Sequence, residues 1–284
     1  MESLWNLVFL AFLIMAFMPA YQQRKLDALR QRLMQRIQQS EGSRVIVLIH
    51  RQETLSFLGL MLQRHIDIED SEQILRAIRK TSPDMPIDLI LHTPGGLVLA
   101  AEQIALALAA HPARVRVIIP HYAMSGGTLL ALAADEILMD PNAVLGPIDP
   151  QLGNYPAASI LNAIREKGVK AVEDETLICG DVARKAIAQV QHNVYRLLER
   201  SHDAEDANRI AKSLTEGRWT HDYPLHIDEL EALGIPVTPG LSPDIYDLMD
   251  LYPQPTPRRP SVQYIVPPSR GDDRKSSGKN LPLW

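Results

Sequence analysis

Two patterns of apolar residues alternate along the first half of the chain. Short continuous runs occupy residues 44–49, 87–91, 115–120 and 136–139. Between them lie stretches with apolar residues at three- and four-residue steps, at 70–80, 98–110 and 128–134. The runs read as strands buried on both faces, and the periodic stretches as helices. In 70–80, Asp70 or Ser71 stands at the start and Ile74, Leu75 and Ile78 make the stripe. Such alternation predicts an α/β fold, a parallel sheet with right-handed crossovers. After residue 139 the pattern changes. Residues 140–151, with Pro141, Gly146, Pro147 and Pro150, read as turn and loop, and helices are predicted at 157–167, 181–200, 205–214 and 227–233. Residues 252–284 are rich in Pro, Ser, Lys and Arg, and read as a disordered tail.

The N-terminus follows a third pattern. Residues 3–23 carry no charged side chain, and 4–18 are apolar except for Asn6. A bilayer span takes roughly 20 apolar residues, so residues 1–23 are predicted to be a transmembrane anchor. Trp5 and Tyr21 sit where interfacial aromatics belong. Glu2 stands where a cleaved signal peptide would carry basic residues. Arg24, Lys25, Arg30, Arg32 and Arg36 follow, opposed by Asp27. This bias predicts a single-pass membrane protein with its domain in the cytoplasm. Leu26, Leu29, Leu33 and Ile37 make 24–42 an amphipathic helix. It can lie on anionic lipid, pair with another protomer or pack on the domain at 43–251.

Composition narrows the chemistry. The 284 residues are 46% apolar and 22% charged, with a net charge of −5, so nothing global suggests a nucleic-acid partner. The one cysteine, Cys179, excludes an intrachain disulfide and a cysteine-based zinc cluster. No residue set demands a metal or a cofactor. His65, Asp67, Glu69 and Asp70 form a polar run that reads as loop solvation.

Two predicted strands end in glycine pairs, His92-Thr93-Pro94-Gly95-Gly96 and Ala123-Met124-Ser125-Gly126-Gly127-Thr128. Ligands of parallel sheets bind beyond the carboxyl ends of the strands, where both pairs fall. Ser125 would sit at a strand-to-helix turn, near the positive end of the helix dipole. Glycines there allow close approach of a substrate backbone and expose N–H groups toward a developing oxyanion. Together they are suited to acyl transfer by a serine.

The residues also carry a resemblance. Leu91 to Gly96, Ala123 to Thr128, and the long stretch from Ala134-Asp135-Glu136 through Gly146-Pro147-Ile148-Asp149-Pro150-Gln151 resemble the serine dehydrogenase proteinase family. That family lies within the Clp-protease/crotonase-like superfamily and is related to signal peptide peptidase A. The likeness implies a crotonase-like spiral of parallel βαβ units, a serine peptidase acting on protein or peptide, and a homo-oligomer. It implies Ser125 as nucleophile, with Gly95, Gly96 and Gly126 as oxyanion donors.

A serine hydroxyl needs a proton acceptor. Pro150 stands where the Clp-type histidine is expected, and no histidine lies between His121 and His192. Relatives of signal peptide peptidase A use a lysine. Among Lys167, Lys170, Lys185 and Lys212, the setting of Lys185 fits best: it lies near the start of a predicted helix beside Val182, Ala186 and Ile187. A Ser125–Lys185 dyad is therefore the expectation. His92 and His121 are secondary candidates, and Asp149 reads as a loop brace or as the group that orients a base. An acyl-CoA enzyme of the crotonase type and a non-catalytic membrane scaffold are the alternative functions.

Overall fold

A computed structural model describes residues 2–50, 52–55 and 60–252. The predicted tail therefore falls outside the described residues beyond Tyr252. The elements run in the order α1 (Glu2–Glu41), β1 (Arg44–Ile49), β2 (Gln52–Leu55), β3 (Leu60–Gln63), α2 (Ile68–Arg79), β4 (Ile87–His92) and α3 (Val98–Ala109). Next come β5 (Val115–Ile119), β6 (Tyr122–Ala123), α4 (Gly126–Leu132), β7 (Glu136–Met139), β8 (Val144–Leu145), β9 (Gln151–Leu152) and β10 (Tyr155–Pro156). The helical half holds α5 (Ala157–Lys167), α6 (Asp174–Leu198), α7 (Ala204–Thr215), α8 (Ile227–Leu233), the short β11 (Thr238–Pro239) and α9 (Pro243–Asp250).

Five strands form one parallel sheet in the order β1-β4-β5-β7-β11. Every residue of β4 is buried, as expected of a central strand covered on both faces. Side chains alternate between the faces. Ile46 and Leu48 of β1, Leu89 and Leu91 of β4, and Val115, Val117 and Ile119 of β5 enter the main core, with α3, α4, α6 and α7. Val45, Ile90 and Ile118 point the other way, onto Ile37 of α1 and Ile245, Leu248 and Met249 of α9. At the carboxyl end β6 pairs with β8, and Thr93 bridges to Ala123, so a second small layer starts where the site is built.

Local signals explain the boundaries. Helix α2 begins at a capping box. Asp67 is its N-cap, and Asp70, expected as the cap, is instead the N3 residue whose side chain accepts from the Asp67 N–H. Gly234 ends α8 in the left-handed conformation.

The N-terminal expectation needs correction. The two segments expected at 1–23 and 24–42 form one continuous helix, α1. The side chains of the apolar run lie largely outside the described residues, and among the described residues no helix is long and apolar enough to cross a membrane. The C-terminal part of α1 packs on the domain. Ile37 is buried and Leu33 and Met34 lie against the same cluster. Two of the five basic residues are held by the domain. Arg30 stacks on Tyr252 and donates to the Leu251 carbonyl, and Arg36 pairs with Asp244.

Candidate active site

Ser125 stands between β6 and α4 with φ 51° and ψ −114°. Among the described residues it is the one non-glycine with a positive φ. Such a conformation costs on the order of 1–3 kcal/mol and persists where surroundings enforce it. Those surroundings are on both sides of the turn. The Thr93 carbonyl accepts from the Met124 N–H (3.0 Å), and Met124 O accepts from the Gly127 N–H (2.7 Å). A Cβ on Gly127 would lie 2.7 Å from the Thr93 methyl, so the helix start presses directly on β4. The buried Thr128 hydroxyl accepts from the Gly146 N–H (3.0 Å) and so fastens α4 to the loop after β8.

The Gly95–Gly96 loop lies against this turn. A Cβ on Gly95 would come within 2.8 Å of the Ser125 Cβ and 2.9 Å of Met124 O. Its φ of 105° independently favours glycine. Beside Gly96, the Ile66 N–H donates to Gly95 O (2.7 Å) and the Leu97 N–H to Ile66 O (2.9 Å). This parallel bridge uses the neighbours of Gly96, so the N–H of Gly96 points to the opposite side, where Gly126 lies. Gly126 is the first residue of α4, and its N–H has no acceptor within the helix. Gly96 N lies 3.6 Å from where a Cβ on Gly126 would stand, so the two glycines adjoin beside Ser125 and line the same cavity. Gly95 differs from the expectation: its N–H is held by Thr93 Oγ1 (3.2 Å), so it shapes the loop rather than serving as a donor.

Ser125, Gly96 and Gly126 line a cavity of about 270 Å³ together with Asp149 and His221. Val98, Leu129, Ile148 and Val190 give it an apolar wall. His221 Nδ1 lies 2.8 Å from Asp149 Oδ1. In the neutral ring this pairing places the proton on Nδ1, toward the carboxylate, and leaves the lone pair on Nε2. The other oxygen of Asp149 accepts from Gln151 Nε2 (2.7 Å), which fixes the carboxylate. Asp149 is buried, at 2% exposure, whereas His221 remains partly open. The hydrogen bond from His221 to Asp149 raises the imidazole pKa, against burial, which lowers it.

Residues 1–279 match the family described as ClpP-like SDH-type serine proteinase. The chain belongs to that family. Two uncharacterized proteins of Methanocaldococcus jannaschii are similar along nearly their whole length. One is 56% identical over 271 residues, covering 95% of this chain and 91% of its own. The other is 52% identical over 270 residues, covering 95% and 93%. Among solved structures, ClpP1 from Listeria monocytogenes aligns with 73% of this chain and 97% of its own, at 15% identity and a TM-score of 0.46.

For this ClpP-like SDH-type chain, the structure brings Ser125, Gly95, Gly96 and Gly126 together as expected but not Lys185. Lys185 projects from α6 with its side chain 68% exposed, paired with Asp181 one turn earlier, and does not line the cavity. Lys167 and Lys170 are exposed, and Lys212 pairs with Glu216. His92 is buried, its ring stacked on His121 and tilted against Tyr122, and neither histidine lines the Ser125 cavity. Sequence reasoning missed His221. It lies in Trp219-Thr220-His221-Asp222, between α7 and α8, where no periodicity marks it. Among the described residues no group of side chains is arranged to hold a metal ion.

Proposed function

We propose that this chain is a serine peptidase that hydrolyses peptide bonds through an acyl-enzyme on Ser125, with His221 as base and Asp149 holding the base in place. The observation that carries the reading is one cavity lined by a serine in an enforced backbone conformation, the glycines Gly96 and Gly126, and a carboxylate-paired histidine. Ser125 Oγ attacks the peptide carbonyl carbon while its proton passes to His221 Nε2. Negative charge gathers on the carbonyl oxygen, between the N–H groups of Gly96 and Gly126. The C–N bond then breaks, and the imidazolium returns its proton to the leaving amine. Water then enters where the amine left and attacks the acyl carbonyl carbon as His221 takes its proton; the ester C–O bond breaks, the imidazolium returns the proton to Ser125 Oγ, and the carboxylic acid leaves. The apolar wall of the cavity receives a substrate side chain.

Mass spectrometry after treatment with a fluorophosphonate probe tests this assignment. Labelling is expected at Ser125 in the full chain and absent in Ser125→Ala. It is expected to slow by at least ~10³ in His221→Gln, the scale seen when a triad base is lost, and to be unchanged in Lys185→Ala. Labelling that survives His221→Gln and disappears in Lys185→Ala would return the base to Lys185.

Two finer features belong to the same proposal. The apolar run ahead of residue 24 attaches the chain to a bilayer, with the domain on the cytoplasmic side. The uncharged stretch and the exposure of Phe9, Phe17 and Met18 support this. Extraction of the chain from membranes by alkaline carbonate would overturn it. Self-association brings several sites together. The exposed row Leu97, Val98 and Leu99 beside the Gly96 loop supports an interface there. A monomer by light scattering, at micromolar concentration, would count against it.

A further inference from the structure

Behind the Gly95–Gly96 loop, on the side away from the cavity, lies a second chain of polar groups. His50 follows the end of β1 and is 4% exposed. Its Nδ1 is 2.8 Å from Thr93 Oγ1, and its Nε2 is 3.1 Å from Asp70 Oδ2. Thr93 is fully buried and its Oγ1 accepts from the Gly95 N–H. Burial works to raise the pKa of Asp70, but hydrogen bonds from His50 and the Asp67 N–H outweigh it and hold the carboxyl ionised. With the ring neutral, Nε2–H donates to Asp70. Nδ1 then accepts the Thr93 hydroxyl proton, and the Thr93 oxygen is left to accept from Gly95. Thr93 Oγ1 also lies 3.3 Å from Gly95 O, so it meets both polar groups of Gly95, and Asp70 Oδ2 accepts from the Asp67 N–H as well as from His50.

We propose that Asp70, His50 and Thr93 form a buried positioning relay that sets the Gly95–Gly96 loop, and with it the Gly96 amide, against Ser125. The inference rests on the reading of Ser125 and Gly96 as nucleophile and oxyanion donor. Thr93 is the node. Its side chain holds Gly95, its carbonyl accepts from Met124 immediately before Ser125, and its N–H donates to Tyr122 O (3.2 Å). One residue thus fixes both the donor loop and the nucleophile turn. Asp70 joins the relay to the N-terminal capping box of α2, and Ile66 just before that helix is bonded to the loop on its other side. None of the three relay residues lines the cavity, so they touch no substrate and act through the loop.

The test compares Thr93→Val, Thr93→Ser and His50→Gln with the wild-type full chain. Fluorophosphonate labelling of Ser125 is resolved into a binding constant and a maximal rate. In parallel, amide hydrogen exchange is measured over residues 93–97. Thr93→Val and His50→Gln are expected to lower the maximal rate at least about tenfold, short of the ~10²–10³ lost with an oxyanion donor itself. The binding constant should change less than about twofold, because the relay acts on the transition state and not on ground-state binding. Thr93→Ser, which keeps the hydroxyl, is expected to restore most of the rate. Exchange in the loop should speed up in the two slow variants alone. Wild-type labelling rates in folded Thr93→Val, or equal slowing in Thr93→Ser and Thr93→Val, would overturn the relay. If His50→Gln does not fold, the Thr93 pair decides. If the wild-type chain is not labelled at Ser125, the peptidase reading fails, whereas loop exchange still judges the positioning: unchanged protection in Thr93→Val would sink it.

Discussion

His221 and Asp149 show how a residue pair sets the working pH of a site. The carboxylate raises the pKa of the imidazole, so the ring stays protonated to a higher pH than a free histidine. A general base must be neutral before it can take the serine proton. The acylation rate should therefore rise with pH through a midpoint above the ordinary histidine value of 6.5 and be lost below it. Asp149→Asn is expected to move that midpoint down and to slow labelling by ~10³–10⁴, because the ring is no longer held in the right tautomer. A midpoint unmoved by the substitution would detach Asp149 from the base. Stability has the opposite sign. A raised histidine pKa stabilises the fold fully below the unfolded value and loses that contribution as pH rises through the folded one. The pair therefore stabilises most where the site is least active, which thermal melts of wild type and Asp149→Asn from acid to neutral pH would reveal. Ser125 was legible because its glycine neighbours announce it. His221 was not, because it meets Asp149 across 72 positions of chain and nothing local marks the meeting. Lys185 carried its own warning: Asp181 four residues earlier is the ordinary partner of a solvated helical lysine.

Strands were legible in proportion to their length, whereas α6, expected at 181–200, begins at Asp174, which puts Lys185 well inside the helix and not near its start. The runs that became β1, β4, β5 and β7 carried a continuous apolar signal, and α5 and α8 were bounded correctly. The paired segments β6, β8, β9, β10 and β11 are two residues each, too short to show any period. Yet β6 and β8 hold the nucleophile turn in place, so the least legible strands serve the site most directly. Helix α9 had a usable signal, Ser242 before Pro243 at its first turn, next to a proline-rich tail that drew attention away from it. The Gly95–Gly96 loop was recognised as special, but only its packing shows why. A Cβ on Gly96 would lie 2.2 Å from Ile66 O and 2.4 Å from Ile66 N, both backbone atoms. Gly96→Ala must therefore push the loop away from Ile66, at the cost of roughly 1–3 kcal/mol of overpacking, and lose Ser125 labelling with it. Gly153 gives the contrast, because a Cβ there meets nothing within 4 Å. Its φ of 61° makes Gly153→Ala cost about 1 kcal/mol in unfolding experiments, without slowing labelling. Equal effects of the two substitutions on labelling would show that the loop is not tuned by close approach.

The whole molecule is a sheet with two unlike faces and two unlike ends. One face carries the main core. The other is covered by the first and last described helices, α1 and α9, on Val45, Ile90 and Ile118. The carboxyl end of the sheet holds the site, and the amino end holds a buried charge cluster. Asp88, fully buried near the start of β4, accepts from Arg116 through both oxygens and from the Ser43 hydroxyl. Arg116 also reaches Glu41, the last residue of α1. Hydrogen bonds to Asp88 raise the guanidinium pKa still further, against burial, so Arg116 stays charged at any working pH. It therefore clamps the end of α1 to the amino end of the sheet, opposite the end that holds Ser125. Replacing Arg116 with Met removes the cation that pairs with Asp88 and, among the described residues, leaves the buried carboxylate the Ser43 hydroxyl. Loss of one partner of a buried pair costs on the order of 3–5 kcal/mol, a large share of the stability of a domain this size. Urea denaturation of Arg116→Met should show that loss, while the fraction that remains folded labels at Ser125 at the wild-type rate. Slower labelling of the folded fraction would mean that the clamp at one end of the sheet is felt at the other. The position of α1 would then be coupled to catalysis.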